Sequence, residues 1–516
     1  METHDIAIIG MGPAGCGAAF MFAAAGLDVV VIEPSETVYQ LPRAVALDGE
    51  IIRGYQRFGE GETLNQLMQP HRPGDRVGFA NADREWLFGQ EIPAFGNNGW
   101  APVNLFDQPE AEQYLRDLAL SQAGVTAYLG YKANAVENIS EGVQVEATHS
   151  TSGETISLQA CYAVGCDGAS SFVRKQLGIG WTDLGYDHDW LVVDVVVNDK
   201  HTLKTETIQV CDPERIVTYV CPKDPFRRWE FKLNDGETRE EMLQEEKIHE
   251  LLDSWTPRDS YELRRAAVYQ FHAATAETWR VGNIFIAGDA AHQTPPFLGQ
   301  GLNAGMRDII NLSWKFPLVL SGVAEDGLLD TYQQEREAHA HDLVDWAVAI
   351  GKLMDHMTET ERCLRAGEAP PSEPEQLQSS AYGQGREQPP FRAGAIVLEQ
   401  VSDTGSTGYL FSQPIVKDGG GREFRLDELL GSGFAVVGRT ADALRVSDAS
   451  RRVLDKLSAN LVSLDGLQTV RGDFDHLFRK HDVAIVRPDR IVFGHTDDNL
   501  SLDDLVGDLA IKLAIA

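Results

Sequence analysis

The segment that most narrows the fold is Gly10-Met11-Gly12-Pro13-Ala14-Gly15, a GxGxxG run set between two short β-branched stretches, DIAII at 5–9 and DVVVIE at 28–33. An Ala-rich helical stretch follows the glycines and ends at Gly26, so this part of the chain reads as strand, tight turn, helix and strand. Each glycine has its own task. Gly10 permits the turn, Gly12 leaves room for a pyrophosphate against the backbone, and Gly15 lets helix and strand approach closely. Pro13 and Ala14 open the helix, whose first free N–H groups suit an anion. Glu33 ends the second strand, 18 residues beyond Gly15, where an acid accepts hydrogen bonds from an adenosine ribose. Together these features predict a dinucleotide site. The motif alone does not separate NAD from FAD.

A chain of 516 residues predicts two or three domains. A helical pattern at 111–123 and strand-like runs at 125–130 and 143–148 return to the first sheet before YAVGCDG. From 190 to 233, WLVVDVVVN, IVTYVC and RRWEFKL are strand-like with no long helix between them, which predicts an inserted antiparallel sheet. NIFIAGDAAH at 283–292 is again strand then turn, with helical patterns at 301–314 and 328–360. The expected organisation is a nucleotide-binding domain at 1–185 and 276–365, a sheet domain at 186–275, a Pro-, Gly- and Glu-rich linker at 366–394 and a small α/β unit at 395–516.

Charge and cysteine usage narrow the function. Lys and Arg total 45 against 78 Asp and Glu, a net charge of −33 that repels nucleic acid and anionic bilayers. The start METHDIAIIG has no secretory pattern and polar residues interrupt every apolar run, so no membrane partner and a cytoplasmic location are expected. The cysteines form no CxxC pair and read as buried thiols. His339 and His341 lie two apart on a helical pattern and read as surface residues; no metal site is expected.

Two distant segments decide the cofactor: Gly165-Cys166-Asp167-Gly168, continuing to Arg174, and Gly288-Asp289-Ala290-Ala291-His292, continuing through Pro295, Pro296 and Gly299-Gln300-Gly301-Leu302-Asn303. With the first motif, in this order, the chain resembles the single-component FAD-dependent aromatic hydroxylases of the para-hydroxybenzoate and phenol hydroxylase group. Softer similarity around RRWEFKL and in the last unit is nearest to the 3-(3-hydroxyphenyl)propionate hydroxylases. The resemblance implies an α/β fold: a Rossmann-like FAD-binding domain, an inserted antiparallel-sheet substrate domain and a C-terminal thioredoxin-like domain. It places Asp289 on the flavin ribityl chain and the backbone N–H groups of Gly299, Gly301, Leu302 and Asn303 on the flavin pyrimidine edge. It associates Asp167 with FAD and nicotinamide use, Arg43 with the diphosphate and ribose, Gln108 with the cofactor and Ala133 with adenine. Gly288 and Pro295 belong to the same flavin loop.

The implied reaction takes NADH or NADPH and O2 and hydroxylates a phenolic substrate, such as a 3-hydroxyphenyl carboxylic acid, through a flavin C4a-hydroperoxide. The flavin carries the chemistry, so no catalytic residue is assigned. Alternation in RRWEFKL sets Arg227, Trp229, Phe231 and Leu233 on one face. That face is either a substrate wall with Arg227 as carboxylate partner or a sheet packed on a helix. Tyr219 and His292 are candidate partners of the phenol. No cysteine follows Cys363, so the last unit has no dithiol chemistry and is expected to serve structure or a homodimer contact. Alternatives on the same fold are a halogenase, which would need a WxWxIP tract, an oxygenase of a polycyclic or heteroaromatic substrate, and a non-catalytic binding module, which would have lost the flavin motifs.

Overall fold

The computed structural model describes residues 3–372, 388–474 and 477–515; most of the expected linker, 373–387, lies outside the described residues. Strand Thr3–Ile9 is apolar on both faces from Ile6 onward and sits inside a sheet, parallel to Val29–Glu33 on one side and to Thr155–Gly165 on the other. The parallel order continues to Val125–Leu129 beyond Val29–Glu33 and to Ile284–Ile286 beyond Thr155–Gly165. Helix Pro13–Ala24 is buried from Gly15 to Phe22 because helices Gln108–Leu120 and Gly301–Leu320 pack over it. Since these strands run the same way, their C-terminal ends share one edge. Gly10, Glu33, Cys166-Asp167 and Gly288-Asp289 each follow one of those ends, which is where ligands bind to open parallel sheets.

The antiparallel sheet expected at 186–275 forms, and it draws on more of the chain, with one parallel junction where Thr207–Cys211 meets Arg76–Asn81. In spatial order it runs His292–Gln293, Tyr261–Ala276, Trp181–Val197, Phe226–Lys232, Val217–Val220, Thr207–Cys211, Arg76–Asn81 and Trp86–Glu91. The last two strands come from within 1–185. They are weakly written in the sequence because Gly78 faces Gly89 across the pair. A Cβ on Gly78 would sit 2.3 Å from the Phe88 carbonyl oxygen, so this close approach admits nothing larger.

Side-chain alternation gives this sheet two faces. Leu191, Val193, Val195, Tyr219, Trp229 and Phe231 pack against helix Glu245–Asp253 through Ile248 and Leu252. The opposite face, with Val192, Asp194, Thr218, Arg228 and Glu230, turns toward the nucleotide-binding sheet.

In the last unit the strand order is Asn460–Ser463, Ala435–Gly438, Val483–Val486, Val492–His495, with the first pair parallel and the others antiparallel. Helix Asp448–Lys456 makes the crossover and helix Leu502–Lys512 packs on the sheet. Buried ion pairs fasten this unit to the rest. Arg487 donates to Glu335 at 2.8 and 2.9 Å and to Asp489 at 2.5 Å, and Lys315 reaches Glu335 at 2.8 Å. Burial pushes the Glu335 carboxyl up, but Arg487 and Lys315 outweigh it and bring its pKa down to about 2. A second cluster joins Arg53 and Arg490 to Asp427.

One surface expectation is corrected here. His339 is buried and takes a hydrogen bond from Arg336 at 2.9 Å; burial first, then Arg336, hold its pKa well below the ordinary histidine range. His341 is exposed beside Asp345. Among the described residues no group of three or more His, Cys, Asp or Glu could hold a metal, and no helix is long and apolar enough to cross a membrane.

Candidate active site

One continuous cavity of about 1300 Å³ runs from the strand ends to the polar face of the antiparallel sheet. Single-ligand pockets span about 300–1,000 Å³, so this one has room for a dinucleotide and a ring together.

At the first end the glycines behave as their spacing requires. Gly10 has φ +98°, and a Cβ there would meet the Cys166 carbonyl oxygen at 2.6 Å; one on Gly15 would lie 2.0 Å from the Gly10 carbonyl oxygen. A Cβ on Gly12, by contrast, would meet no protein atom within 4 Å and would enter the cavity above the helix N-terminus. That is the space a pyrophosphate needs, next to N–H groups that no side chain caps. Pro13, Ala14 and Ala133 line the same space. Glu33 accepts hydrogen bonds from the backbone of Met11 at 2.6 Å and Ser35 at 2.8 Å, so it fixes the loops on both sides of its strand end. Gln108 acts through a neighbour. Its Oε1 accepts from the N–H groups of Arg43 at 2.8 Å and Ala44 at 2.6 Å, which positions the Arg43 loop along the cavity.

Asp167 caps helix Phe172–Gln176 through one oxygen, taking the N–H groups of Phe172 at 2.7 Å and Val173 at 3.0 Å, while its Oδ1 is buried without a partner. Asp289 projects into the cavity, and the surrounding protein raises its pKa by desolvation against the smaller pull of His292 and Arg43. Gly288, at φ +64°, donates its N–H to Asp308 at 2.9 Å, and a Cβ on Gly305 would lie only 3.0 Å from its Cα. Gly299, Gly301 and Leu302 line the cavity where helix Gly301–Leu320 begins without a side-chain cap. Uncapped N–H groups at two helix starts, an orphaned Asp167 oxygen and open space over Gly12 fit FAD.

The structure redistributes some of the expected residues. Gly15 works as packing against Gly10, and Pro295 precedes the turn Pro296–Leu298 without lining the cavity. The Asn303 side chain faces away and ties Asp48, Ala46 and Gly299 together, so only its backbone remains available at the helix start.

Four placements are corrected. Tyr219, Arg227 and Trp229 lie on the face covered by helix Glu245–Asp253: Tyr219 donates to the Lys204 carbonyl at 2.8 Å and Arg227 pairs with Asp224 at 2.9 Å. Strand parity is the reason, since the cavity takes the alternate positions Thr218, Arg228 and Glu230. His292 is buried behind the flavin loop, where its Nε2 meets Asp308 at 2.8 Å. Asp308 also pairs with Arg336 at 3.0 Å. Neither residue carries a motif of its own, and both were missed.

The other end of the cavity is polar on its sheet side and apolar opposite. Arg228 is held by Asp194 at 2.7 and 3.0 Å and donates to the carbonyls of Arg43 at 2.6 Å and Pro42 at 2.9 Å. Arg265 donates to Pro42 as well and lies 3.6 Å from Asp194. The two sheet cations thus share the Asp194 carboxylate and anchor the loop that carries Arg43. Val103, Leu105, Phe297 and Leu298 supply apolar wall, which suits an aromatic ring.

This geometry suits an enzyme that holds a nucleotide cofactor and a ring in one enclosure, and comparison with known proteins assigns its class. Residues 3–347 match the model of the FAD binding domain family and residues 408–510 that of the HcaD C-terminal domain. The chain is 32% identical to a probable NADH-specific resorcinol 4-hydroxylase of Rhodococcus jostii (strain RHA1), covering 99% of this chain and 96% of that one. It is 31% identical to a 3-(3-hydroxy-phenyl)propionate/3-hydroxycinnamic acid hydroxylase of Burkholderia vietnamiensis (strain G4 / LMG 22486), covering 96% and 94%. The fold matches that of aklavinone-11 hydroxylase, solved with FAD and aklavinone, at a TM-score of 0.81 and 23% identity over 99% of each chain. The chain belongs to the FAD binding domain family and is an FAD-dependent aromatic hydroxylase.

Proposed function

We propose that the chain hydroxylates a small phenolic ring, ortho to its hydroxyl, with NADH or NADPH and O2 as co-substrates. One observation carries the reading: the polar sheet face and the four strand-end motifs line a single cavity. Resorcinol and the 3-hydroxyphenyl carboxylic acids, named for relatives, are the substrates to try first.

Bound FAD supplies the redox chemistry, moving electrons from the nicotinamide to O2 and one oxygen atom to the ring. The chain's residues hold and shelter it. Gly12 and the helix start take the pyrophosphate, Glu33 the adenosine ribose, Asp289 the ribityl hydroxyls, and the uncapped start at Gly301 the pyrimidine edge. The apolar wall around Phe297 and Leu298 excludes water from the reacting centre.

Six free cysteines and no disulfide among the described residues support a cytoplasmic location. The strand order of the last unit supports the thioredoxin-like reading, with a role in stability or a homodimer contact rather than electron transfer. A panel of phenols screened for acceleration of NAD(P)H oxidation, with product identified by mass, tests the function. A mass increase of one oxygen atom is expected; oxidation that yields only peroxide with every phenol would overturn it.

A further inference from the structure

The cavity face of the sheet holds one carboxylate that the fold does not use. Glu230 stands between Val192 and Thr218 of the neighbouring strands, with its side chain only 6% exposed. Among the described residues it accepts no hydrogen bond, and its one ion-pair neighbour is Arg228 at 3.9 Å. Arg228 is already spent on Asp194, Pro42 and Arg43. Asp194, one row away on the same face, is by contrast fully engaged. A buried carboxylate lacking donors is costly to keep, and a fold with no use for it would do better with an apolar residue there. Its oxygens face the cavity beside Thr218, whose hydroxyl is bound to Gln209 at 2.5 Å.

We infer that Glu230 receives the ring hydroxyl of the substrate and is the general base that takes its proton during oxygen transfer. This rests on the phenol-hydroxylase reading above. The phenol O–H bond breaks, the proton moves to a Glu230 oxygen, and the freed electron pair is pushed into the ring as the ortho carbon bonds one oxygen atom of O2 reduced by NAD(P)H through the flavin; the O–O bond breaks and the second oxygen atom leaves with its electron pair. When that carbon loses its hydrogen as a proton, which goes to the departing oxygen on its way to water, aromaticity returns and the proton on Glu230 goes back to the first oxygen. Proton count and charge are then restored.

The acidity suits the task. Burial pushes the Glu230 pKa up to about 7, against the opposing pull of Arg228 and with a further push from Asp194. A base near the working pH but below the ~10 of a phenol binds the hydroxyl in the ground state and takes the proton only as the ring gives up electrons. The ionised form accepts, so phenol affinity should rise as pH rises through about 7. Arg228, Asp194 and Arg265 face Glu230 from the sheet, and Arg43, His71, His272 and Tyr269 line the same cavity. The isosteric variant separates Glu230 from all of these.

The test uses FAD-loaded wild type, Glu230→Gln and Glu230→Asp, with flavin absorbance and melting temperature as folding controls. Resorcinol Kd is read from the perturbation of the oxidised flavin spectrum between pH 6 and 8, without nicotinamide, and turnover is measured separately. Wild type should bind more tightly as pH rises; the Gln variant should lose that dependence and fall about 10²-fold in kcat, a typical general-base effect. The Asp variant should keep the pH dependence with a smaller loss of rate. A Gln variant with wild-type pH profile and kcat would overturn the assignment. So would wild-type binding that is flat across this range, whatever the variants do. Wild type that binds resorcinol with the expected pH profile but hydroxylates no phenol would overturn the function and leave the binding role standing.

Discussion

The two ends of the cavity are built by different means. At the nucleotide end the recognition elements are backbone: glycine positions, uncapped helix starts and strand termini whose geometry tolerates few residue types. At the ring end they are side chains at alternate positions of antiparallel strands, and their identity can change without disturbing the fold. A backbone site must spell itself out locally. A side-chain site is defined by which face of a sheet is left uncovered, and that is decided by another element.

The sharpest break of this comparison is at the nucleotide end. Gly15→Val should abolish FAD binding, because even the first added carbon would lie 2.0 Å from the Gly10 carbonyl oxygen. Gly12→Trp should also give apoprotein, but with a melting temperature near that of wild-type apoprotein, since the new side chain enters empty cavity rather than packed backbone. Absorbance at flavin wavelengths and a thermal melt of each variant check both outcomes. Equal collapse of the two would show that Gly12 is a packing position.

This contrast explains what could be read from the sequence. The glycine motif, Glu33, Asp167 and Gly288-Asp289 were legible because each follows a parallel strand and obeys a local rule. In RRWEFKL the alternation was also legible, with Arg227, Trp229 and Phe231 sharing one face. The destination of that face was not. Helix Glu245–Asp253 carried the missing signal, since Ile248 and Leu252 form an apolar stripe that needs an apolar partner. The apolar sheet face goes to that helix, and the polar face with Arg228 and Glu230 is left for a ligand. Strands Arg76–Asn81 and Trp86–Glu91 were hidden by their facing glycines.

Next in size are the buried charges that hold each half in place. Asp308→Ala strips the partner from buried Arg336 and His292 and frees the Gly288 N–H, so a loss of about 3–5 kcal/mol and weaker FAD binding are expected together. Glu335→Gln should cost stability on a similar scale through Arg487 and Lys315 while sparing the flavin spectrum. Its pH signature differs. A carboxyl held at about 2 in the folded protein, against about 4.3 unfolded, stabilises above the unfolded value and loses that contribution as pH falls from about 4.5 toward 2. Wild type should therefore show a steeper acid limb of melting temperature than Glu335→Gln; parallel limbs would remove Glu335 from acid stability.

Smaller still is the effect expected at the proposed ribityl contact. Asp289→Asn keeps the shape of the turn but replaces a charged acceptor, and hydrogen bonds to charged groups contribute about 1.5–3 kcal/mol, so FAD affinity should fall by roughly ten- to a hundredfold. Equilibrium dialysis of the reconstituted variant reads the change. An unchanged Kd would take Asp289 off the cofactor.

The finest test compares two neighbours on one strand. Thr218 and Tyr219 are adjacent in Val217–Val220, yet parity sends the first to the cavity and the second to the helix-covered core. Tyr219→Phe deletes a hydroxyl that donates to Lys204 at 2.8 Å, so it should cost about 1 kcal/mol of stability and leave phenol affinity unchanged. Thr218→Val removes the hydroxyl that donates to Gln209 beside Glu230, so it should cost about 1 kcal/mol of stability as well and, in addition, shift phenol affinity severalfold. The reverse pattern, with Kd moved by Tyr219→Phe and not by Thr218→Val, would put the ring on the opposite face. The cavity sheet would then have been assigned the wrong side, and Glu230 with it.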